Sequence, residues 1–449
     1  MNSKIGRRDF IRAAGLAAMS LATRGCVRNL DKSAGTTLCR KPNIVLIMAD
    51  DLGYECLGCY GGTSYKTPFL DELASAGMRF EHCYSQPLCT PSRVKIMTGQ
   101  YNFRNYTDFG ILDPKQKTFG HLLQDAGYVT CVAGKWQLYG SVNQRPEVRG
   151  TGSLPGQAGF DEHCLWQIKQ RGPRYKDPLI MQNGKYRDDL QGRYGPDIFC
   201  DYILDFIERH KNKPFFVYFP MVLVHSPFVP TPDSEDWTKA KQKSNPKYFA
   251  DMVRYMDKIV GRIVAKLNQL GLRENTLILF TGDNGTNRAI KSKLGKRIIQ
   301  GAKGETTDAG THVPLIANFK GTIPAGRVCD DLIDFTDFVP TLAELAGAKL
   351  PEDMLVDGRS FLPQLRGEKG NPRDWIFCHY DPKWGKWKPK RFVRDKRFKL
   401  YHSGELFDVQ ADPLEQNPIQ PGQGDRNAAA ARKRLQAILD SIYKSNLKI

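Results

Sequence analysis

Four segments of the chain are almost continuously apolar, and each is followed directly by polar or charged residues. Runs that do not alternate with polar positions are typical of strands covered on both faces. The segments span residues 43–49, 130–133, 215–224 and 276–280. They are followed in turn by Asp50-Asp51, Gly134-Lys135-Trp136, His225 and Thr281-Gly282-Asp283-Asn284. Each predicted strand therefore delivers side chains suited to chemistry at its carboxyl end.

Segments with helical character lie between these strands. They cover residues 68–76, 119–127, 198–210 and 248–270. Alternating strands and helices predict an α/β fold with a large, mostly parallel central sheet flanked by helices. Ligands of such sheets bind beyond the carboxyl ends of the strands. We therefore expect the polar residues that follow the four strands to converge at one edge of the sheet.

Two pairs of oxygen-bearing side chains at these strand ends point to a metal site. Asp50 and Asp51 cannot both stay charged at a buried edge without a cation or a proton. Asp283 and Asn284 add oxygen ligands from another strand. Oxygen donors without histidine suit calcium, or magnesium, better than zinc. Either pair alone could simply cap or form a turn, but both pairs at ends of buried strands favour a metal.

The segment Cys89-Thr90-Pro91-Ser92-Arg93 places a cysteine in a turn before a helix-like run, residues 93–99. Pro91 suits a first helical turn, where its missing N–H costs nothing. A thiol at a helix N-terminus feels the positive end of the dipole, so we expect a lowered pKa for Cys89. The four-residue spacing predicts that Arg93 lies beside the sulfur. The segment thus predicts an activated cysteine next to a fixed positive charge.

The pattern of predicted helices and strands changes after residue 367. Residues 368–372 form a polar connector, residues 392–401 read as a hairpin with a turn near Asp395, and a strand near 406–407 and a helix at 426–444 follow. This pattern predicts a smaller C-terminal antiparallel-sheet subdomain, residues 371–449, after a catalytic α/β domain, residues 40–368.

Residues 381–391 interleave cations with tryptophans. They could stack on sugar rings and pair with sulfates, or form a solvated surface loop.

The formal net charge of the 449 residues is +18, and a positive field attracts anionic partners. Nucleic acid would fit such a field, but the sequence has no zinc-finger spacing, RNP motif or helix-turn-helix pattern. Sulfated or phosphorylated small molecules and polysaccharides fit it equally well. We therefore expect an anionic partner that is not nucleic acid.

The first residues look like a targeting segment. Residues 6–12 resemble a twin-arginine motif, and an apolar run at 13–22, too short to span a bilayer, follows. We expect residues 1–25 to be an export signal and the protein to be periplasmic or secreted. Lipid attachment at Cys26 is a weaker alternative, because Arg24 fits it poorly. No other segment is long and apolar enough to predict a membrane span.

Several motifs resemble, in order, those of the type I sulfatases of the alkaline phosphatase superfamily. The residues Cys89, Pro91 and Arg93 match the C-x-P-x-R signature of that family. The other similar stretches are residues 42–54, 67–74, 98–99, 134–136, 225–227, 281–285, 303–310, 357–360, 405–408 and 412–415. The resemblance covers roughly residues 42–420, nearly the whole of the expected mature chain.

The resemblance implies hydrolysis of a sulfate ester. In that family a maturation enzyme oxidises the signature cysteine to formylglycine, whose hydrate attacks sulfur, so Cys89 would be modified in this way. Calcium would be bound by Asp50, Asp51, Asp283, Asn284 and the modified residue 89. With export and positive charge, this implies a sulfated poly- or oligosaccharide as the substrate.

The resemblance also implies roles for the remaining site residues. Arg93 would hold the hydrate, and Lys135 and Lys303 would neutralise the sulfate oxygens. His225, with Lys303, would protonate the leaving alcohol. Together with Gln137, the substrate-binding set is Lys135, Gln137, His225 and Lys303.

The chain departs from the family pattern at three positions. Gln137 stands where a histidine is usual, His312 where arginine is typical, and Ala309 replaces a glycine. Glutamine cannot take up a proton at neutral pH, so another group must do so or the reaction slows. Two alternatives stay open: a phosphodiesterase or phosphonate hydrolase of the same superfamily, and a degenerate, non-catalytic protein that binds sulfated glycans.

Overall fold

The computed structural model describes residues 41–238 and 243–446. The predicted export segment and Cys26 lie outside the described residues. No helix in the described part combines the length and apolar character needed to cross a bilayer.

The helices and strands are numbered here in chain order. The helices are α1 (Pro68–Ser75), α2 (Cys89–Thr98), α3 (Asn102–Asn105), α4 (Phe119–Asp125), α5 (Gly195–Arg209), α6 (Phe249–Gln269), α7 (Asp308–Thr311), α8 (Phe338–Ala346), α9 (Leu362–Leu365) and α10 (Arg426–Asn446). The strands are β1 (Asn43–Ala49), β2 (Met78–Tyr84), β3 (Val129–Lys135), β4 (Glu162–Trp166), β5 (Ile180–Gln182), β6 (Lys185–Tyr186), β7 (Phe215–Pro220), β8 (Thr276–Gly282), β9 (Lys291–Leu294), β10 (Arg297–Gln300), β11 (His312–Asn318), β12 (Arg327–Asp334), β13 (Ile376–Tyr380), β14 (Lys390–Arg394), β15 (Phe398–Tyr401) and β16 (Leu406–Asp408).

Ten strands form the central sheet, in the order β12-β2-β11-β8-β1-β7-β3-β4-β5-β6. The middle strands, from β8 to β4, are all parallel. The four strands expected from the apolar segments are adjacent in this part, which confirms the predicted large, mostly parallel sheet. β11 runs antiparallel to both of its neighbours, and β5 and β6 add an antiparallel edge. The third predicted strand was too long, because β7 ends at Pro220 and residues 221–224 lie beyond it.

Strand β1 shows why the central strands carry apolar residues at every position. Val45 and Ile47 pack into the core on the side of α5 and α6. Ile44, Leu46 and Met48 pack on the opposite side, against residues of α4 and α8. Because successive side chains of a strand point to opposite faces, a strand covered by helices on both faces needs no polar positions.

A separate antiparallel sheet, β13-β14-β15-β16, confirms the predicted smaller C-terminal sheet. The predicted hairpin corresponds to β14 and β15, whose turn contains Asp395. Leu435 and Leu439 of α10 pack on one face of this sheet. Tyr380 and Phe392 belong to a cluster on the other face that includes Cys89. The small sheet thus packs against the start of α2, while the exact domain boundaries stay a prediction.

A buried ion pair ties α2 to both sheets. Lys95 of α2 and Asp334 at the end of β12 are both fully buried, and the Lys95 Nζ lies 2.7 Å from Asp334 Oδ2. The same Nζ donates a hydrogen bond of 3.2 Å to the carbonyl of Phe377 in β13. Asp334 also accepts a hydrogen bond from the main-chain N–H of Thr336. These contacts fix the helix that begins at Cys89.

Replacement of Lys95 should therefore destabilise the fold strongly. Lys95→Met leaves the Asp334 carboxylate buried without its cation, and we expect the free energy of unfolding to fall by about 3–5 kcal/mol. Urea denaturation measures the change. Lys291→Met, which removes an exposed lysine of β9, is the control and should shift the free energy by no more than about 0.5 kcal/mol. Equal, small effects of both substitutions would contradict this account of the ion pair.

Candidate active site

The carboxyl ends of β1 and β8 bring the predicted oxygen ligands together. Asp51 follows β1, and its main-chain N–H donates a 3.0 Å hydrogen bond to Asp283 Oδ1. Asn284 Nδ2 donates to Asp51 Oδ1 at 2.9 Å. Asp51 has a φ of 65°, in the left-handed region that residues other than glycine rarely adopt. The strained turn after β1 thus sets two acidic side chains against the end of β8.

Two lysines, the buried Lys135 and the partly buried Lys303, neutralise part of this acidic edge. Lys135, at the end of β3, places its Nζ 2.8 and 3.0 Å from the two carboxylate oxygens of Asp50. The Lys303 Nζ lies 2.6 Å from Asp51 Oδ1. Burial alone would raise the pKa of Asp50, but Lys135 and other nearby cations outweigh it and hold that pKa below its usual value. Asp50 and Asp51 are therefore ionised.

The side-chain oxygen atoms of this edge that have no hydrogen-bond partner are suited to bind a hard cation. Asp51 Oδ2 and Asn284 Oδ1 are buried and have no hydrogen-bond partner among the described residues. Burial, followed by the charge of Asp50, raises the pKa of Asp283 well above its usual value. Ligand atoms of Asp50, Asp51 and His225 lie within 4.8 Å of one another. Unpartnered carboxylate and amide oxygens at one buried point are the donor set that calcium prefers.

Cys89 is the first residue of α2 and is 3% exposed. Its Sγ lies 3.8 Å from Gln137 Oε1. The expected lowering of its pKa is wrong, because burial raises the pKa of the thiol by more than Lys135 and Lys303 lower it. A position at a helix N-terminus does not compensate for the loss of water around a thiolate. The unmodified side chain is therefore a neutral thiol.

Arg93 is buried one turn after Cys89. Its guanidinium donates hydrogen bonds to the main-chain carbonyls of Lys135 and Trp136, so it ties α2 to the end of β3. The sulfur of Cys89, which the spacing suggested as its neighbour, is not among its hydrogen-bond partners. The Arg93 Nε, however, is buried and unpartnered within the described residues. This donor is free to meet an oxygen in the site.

His225 lies five residues beyond the end of β7. The Tyr175 hydroxyl holds this segment by donating to the carbonyls of Val222 and His225, at 2.8 and 2.5 Å. The Nδ1 of His225 lies 2.5 Å from the Ser226 carbonyl, which can only accept, so Nδ1 carries a hydrogen. Its Nε2 faces Asp51 Oδ2 at 3.8 Å. Burial and then the charge of Lys303 lower the pKa of His225 to about 3.

A cavity of about 370 Å³ opens over these groups. Four predicted site residues line it: Cys89, Gln137, His225 and Lys303. Two tryptophans of the 381–391 segment, Trp384 and Trp387, line it as well. Trp384 stacks on Phe109 with ring centroids 4.6 Å apart. The tryptophan-rich segment is therefore part of the cavity wall.

Sequence reasoning missed seven further residues of this wall: Leu88, Phe109, Gln167, Arg171, Arg174, Asn287 and Arg288. One signal was available for Gln167, because a Trp-Gln pair stands at the carboxyl end of both β3 and β4, at residues 136–137 and 166–167. The two strands are neighbours, and the main-chain N–H of Gln137 donates to the Gln167 carbonyl at 2.9 Å. Arg174 lies in an irregular loop after β4, with one guanidinium nitrogen 3.7 Å from Asp50 Oδ2. No periodic pattern marks that loop.

His312 does not substitute for the missing histidine. Its Nε2 lies 2.7 Å from the Glu81 carbonyl, and its ring stacks on Tyr54 with centroids 4.0 Å apart. Burial lowers its pKa to about 4. It is packed among aromatic rings away from the cavity wall, where it has a structural role.

Two family models match the chain. The model described as Sulfatase matches residues 42–348. The model described as N-sulphoglucosamine sulphohydrolase, C-terminal, matches residues 305–444. Together they span both sheets and every residue placed in the site above.

Individual relatives agree with these matches. The N-acetylgalactosamine-6-sulfatase of Canis lupus familiaris is 33% identical over 377 residues, which covers 76% of this chain and 69% of that protein. The N-acetylglucosamine-6-O-sulfatase of Bacteroides thetaiotaomicron is 26% identical, with 96% and 90% covered. The crystal structure of Ps i-CgsB in complex with k-i-k-neocarrahexaose superposes with a TM-score of 0.73 at 25% identity, over 90% of this chain and 92% of that one.

Proposed function

The chain belongs to the sulfatase family and is a sulfuric ester hydrolase, and we propose that it removes sulfate from a sulfated carbohydrate with a formylglycine made from Cys89 and a bound calcium ion. The observation that carries this proposal is that Cys89 and Lys303 line one cavity, while the ion pairs Lys303–Asp51 and Lys135–Asp50 lie close beside them. The carbohydrate substrate is supported by the names of both relatives, which are sulfatases of amino sugars.

The metal and the modified residue would supply the two reagents that ordinary side chains lack. Calcium would be held by Asp50, Asp51, Asp283, Asn284 and residue 89 and would supply positive charge next to the sulfate. Formylglycine, as its hydrate, would supply the oxygen that attacks sulfur. The Nε of Arg93 is buried and unpartnered within the described residues, and we expect it to donate a hydrogen bond to the modified residue 89. A maturation enzyme is therefore an expected partner of this chain.

The chain's own cations stabilise the negative charge of the reacting sulfate. Lys135 and Lys303 are held by Asp50 and Asp51, so their ammonium groups are fixed before substrate arrives. Preorganised charges in a site closed to water contribute more than the same charges in solution. These lysines bind the sulfate oxygens and oppose the build-up of charge as the ester bond breaks.

In the proposed reaction, His225 and Lys303 carry out the proton transfers to the leaving alcohol and from residue 89. Because the single hydrogen of the neutral His225 is on Nδ1, bonded to the Ser226 carbonyl, Nε2 holds no proton of its own. The proton for the leaving alcohol would therefore come from the Lys303 ammonium and pass through Nε2. Gln137 can orient residue 89 through its amide but cannot accept a proton. The proton that must leave residue 89 during sulfate release therefore returns to Nε2 of His225, since this is the imidazole that lines the described cavity.

Trp384 and Trp387 support a sugar substrate. An aromatic face packs well against the C–H face of a sugar ring, and a cation next to it adds attraction for an anionic substituent. The Arg288 guanidinium lies 5.5 Å from the centre of the Trp387 ring, and Lys386 lies 5.8 Å from it. The small sheet would thus contribute the sugar-binding side of the cavity, while the large sheet contributes the sulfate-binding side.

Maturation and activity test the proposal together. Protein co-expressed with a formylglycine-generating enzyme should show the aldehyde in the peptide that contains position 89, by mass analysis, and should hydrolyse aryl and sugar sulfates. Cys89→Ala should lose this activity. Phosphodiesters and phosphonates are assayed in parallel. An unmodified cysteine without activity would favour a binding protein, and faster turnover of the phosphorus esters would favour the alternative hydrolase.

Calcium should stabilise the folded protein through the acidic edge. At a calcium concentration about 100 times the dissociation constant, a ligand that binds only the folded state adds about 2.7 kcal/mol. We expect a higher melting temperature with calcium and no comparable shift in Asp283→Asn. Asp330→Asn, which alters an exposed carboxylate, is the control and should respond like the unchanged protein. A stronger response to magnesium would reassign the ion, and an equal calcium response in Asp283→Asn would refute the site.

Loss of His225 should depend on the leaving group. A general acid contributes roughly 10²–10⁴-fold to the rate, and its contribution shrinks when the leaving group needs no proton. His225→Ala should therefore reduce kcat on a sugar sulfate far more than on nitrophenyl sulfate. His163→Ala, at a strand position outside the cavity, should leave both rates unchanged. If His225→Ala reduces both rates by the same factor, proton delivery is not its role.

A further inference from the structure

Two arginines on the cavity wall have no role in the proposed reaction. Arg171 and Arg174 belong to the loop between β4 and β5, and both line the cavity with His225. The sulfate that is cleaved already has Lys135 and Lys303 as its counter-charges. The positive charge on this loop is therefore additional to what one sulfate group needs.

Arg174 is built into the wall. Its side chain is 7% exposed, and its guanidinium lies over the face of Trp166, 4.0 Å from the ring centre. Its buried Nη1 has no hydrogen-bond partner among the described residues and is 3.7 Å from Asp50 Oδ2, too far for a hydrogen bond. That carboxylate already accepts two hydrogen bonds from Lys135. An oriented, buried donor is thus left without an acceptor.

Arg171 lies next to Arg174 and faces the cavity from a more exposed position. It makes no hydrogen bond or ion pair with the residues that the structure describes. Partial burial, followed by the charge of Arg174, lowers its pKa, as expected for two guanidinium groups at close range. Two like charges at close range repel each other, and a bound anion relieves this repulsion.

The place of these arginines indicates which part of a substrate they would meet. In the proposed reaction the leaving oxygen lies at Nε2 of His225. The sugar ring attached to that oxygen then occupies the cavity whose wall His225 shares with Arg171, Arg174 and Trp384. A guanidinium fork binds the planar or trigonal oxygens of a carboxylate or sulfate in a bidentate manner.

We propose that Arg171 and Arg174 form a second anion subsite, which binds a sulfate or carboxylate group carried by the substrate next to the sulfate ester that is cleaved. This inference rests on the proposed function and narrows the substrate to carbohydrates with at least two anionic groups. Arg174 orients the anion from the buried side, and Arg171 closes on it from the solvent side.

The test compares substrates that differ by one anionic group. Matured enzyme is assayed with nitrophenyl sulfate and with monosulfated hexoses and hexosamines. Each sugar is paired with its disulfated form and with a disaccharide that adds a uronic acid. We expect kcat/KM to be about tenfold higher or more for one of the dianionic series, in keeping with a charge-assisted hydrogen bond in a partly desolvated site. The preferred series identifies the second group as sulfate or carboxylate.

Arg171→Gln is the decisive variant, because Arg171 makes no contacts that stabilise the fold. It should reduce the ratio of kcat/KM between dianionic and monoanionic sugars to near one, and Arg171→Lys should restore part of the ratio. Lys169→Gln removes a positive charge from the same loop outside the cavity and is the matched control, with the ratio unchanged. A general loss of positive field would instead lower the ratio equally in Arg171→Gln and Lys169→Gln.

The remaining outcomes separate this inference from the function on which it rests. Hydrolysis of nitrophenyl sulfate or monosulfated sugars without any preference for a second anion overturns the subsite and leaves the sulfatase activity standing. A preference that survives Arg171→Gln also overturns it. Failure of the matured enzyme on every sulfate ester, aryl sulfate included, would refute the proposed function itself.

Discussion

The crowding of three buried carboxylates at the carboxyl edge of the central sheet is the constraint on which the site depends. Asp50, Asp51 and Asp283 are each at most 2% exposed, and like charges so close cannot all ionise without compensation. Lys135 and Lys303 each pair with one of the first two. Asp283 is left with a main-chain N–H and a raised pKa. The chain thus neutralises most of its own acidic edge, and the proposed cation would complete the balance.

The parallel sheet explains why much of this site could be predicted from sequence. Strands β1, β3 and β8 end at the same edge, so polar residues after each apolar run meet there whatever the details of the loops. Residues in loops are not brought to this edge by the geometry of the sheet. Arg174 reaches Asp50 from an irregular segment after β4, and His225 lies beyond the end of its strand. The positions of these two side chains are known only from the folded structure, because loops have no periodic pattern from which they could be predicted.

The limits of the sequence patterns are also visible in the fold. Strands β2, β11 and β12 were not anticipated, since β2 mixes polar and apolar residues and β11 opens with His312 and contains a proline. The small sheet was anticipated as a hairpin and one strand, without β13. The pKa of Cys89 was misjudged for a different reason. A sequence shows that a cysteine begins a helix, but its burial depends on Leu88, Phe109 and the small sheet that packs over it.

Gln137 determines how the proton transfers must be arranged. Its amide lies 3.8 Å from the sulfur of Cys89, so it can orient residue 89 without exchanging protons with it. His312 is held among Tyr54 and Glu81 and cannot take its place. In the cavity as described, the remaining imidazole is His225, and its Nδ1 is committed to a carbonyl. In the proposed reaction, one nitrogen atom would then serve both the protonation of the leaving alcohol and the removal of a proton from residue 89. Sulfate release would therefore follow the step in which that atom passes a proton from Lys303 to the alcohol.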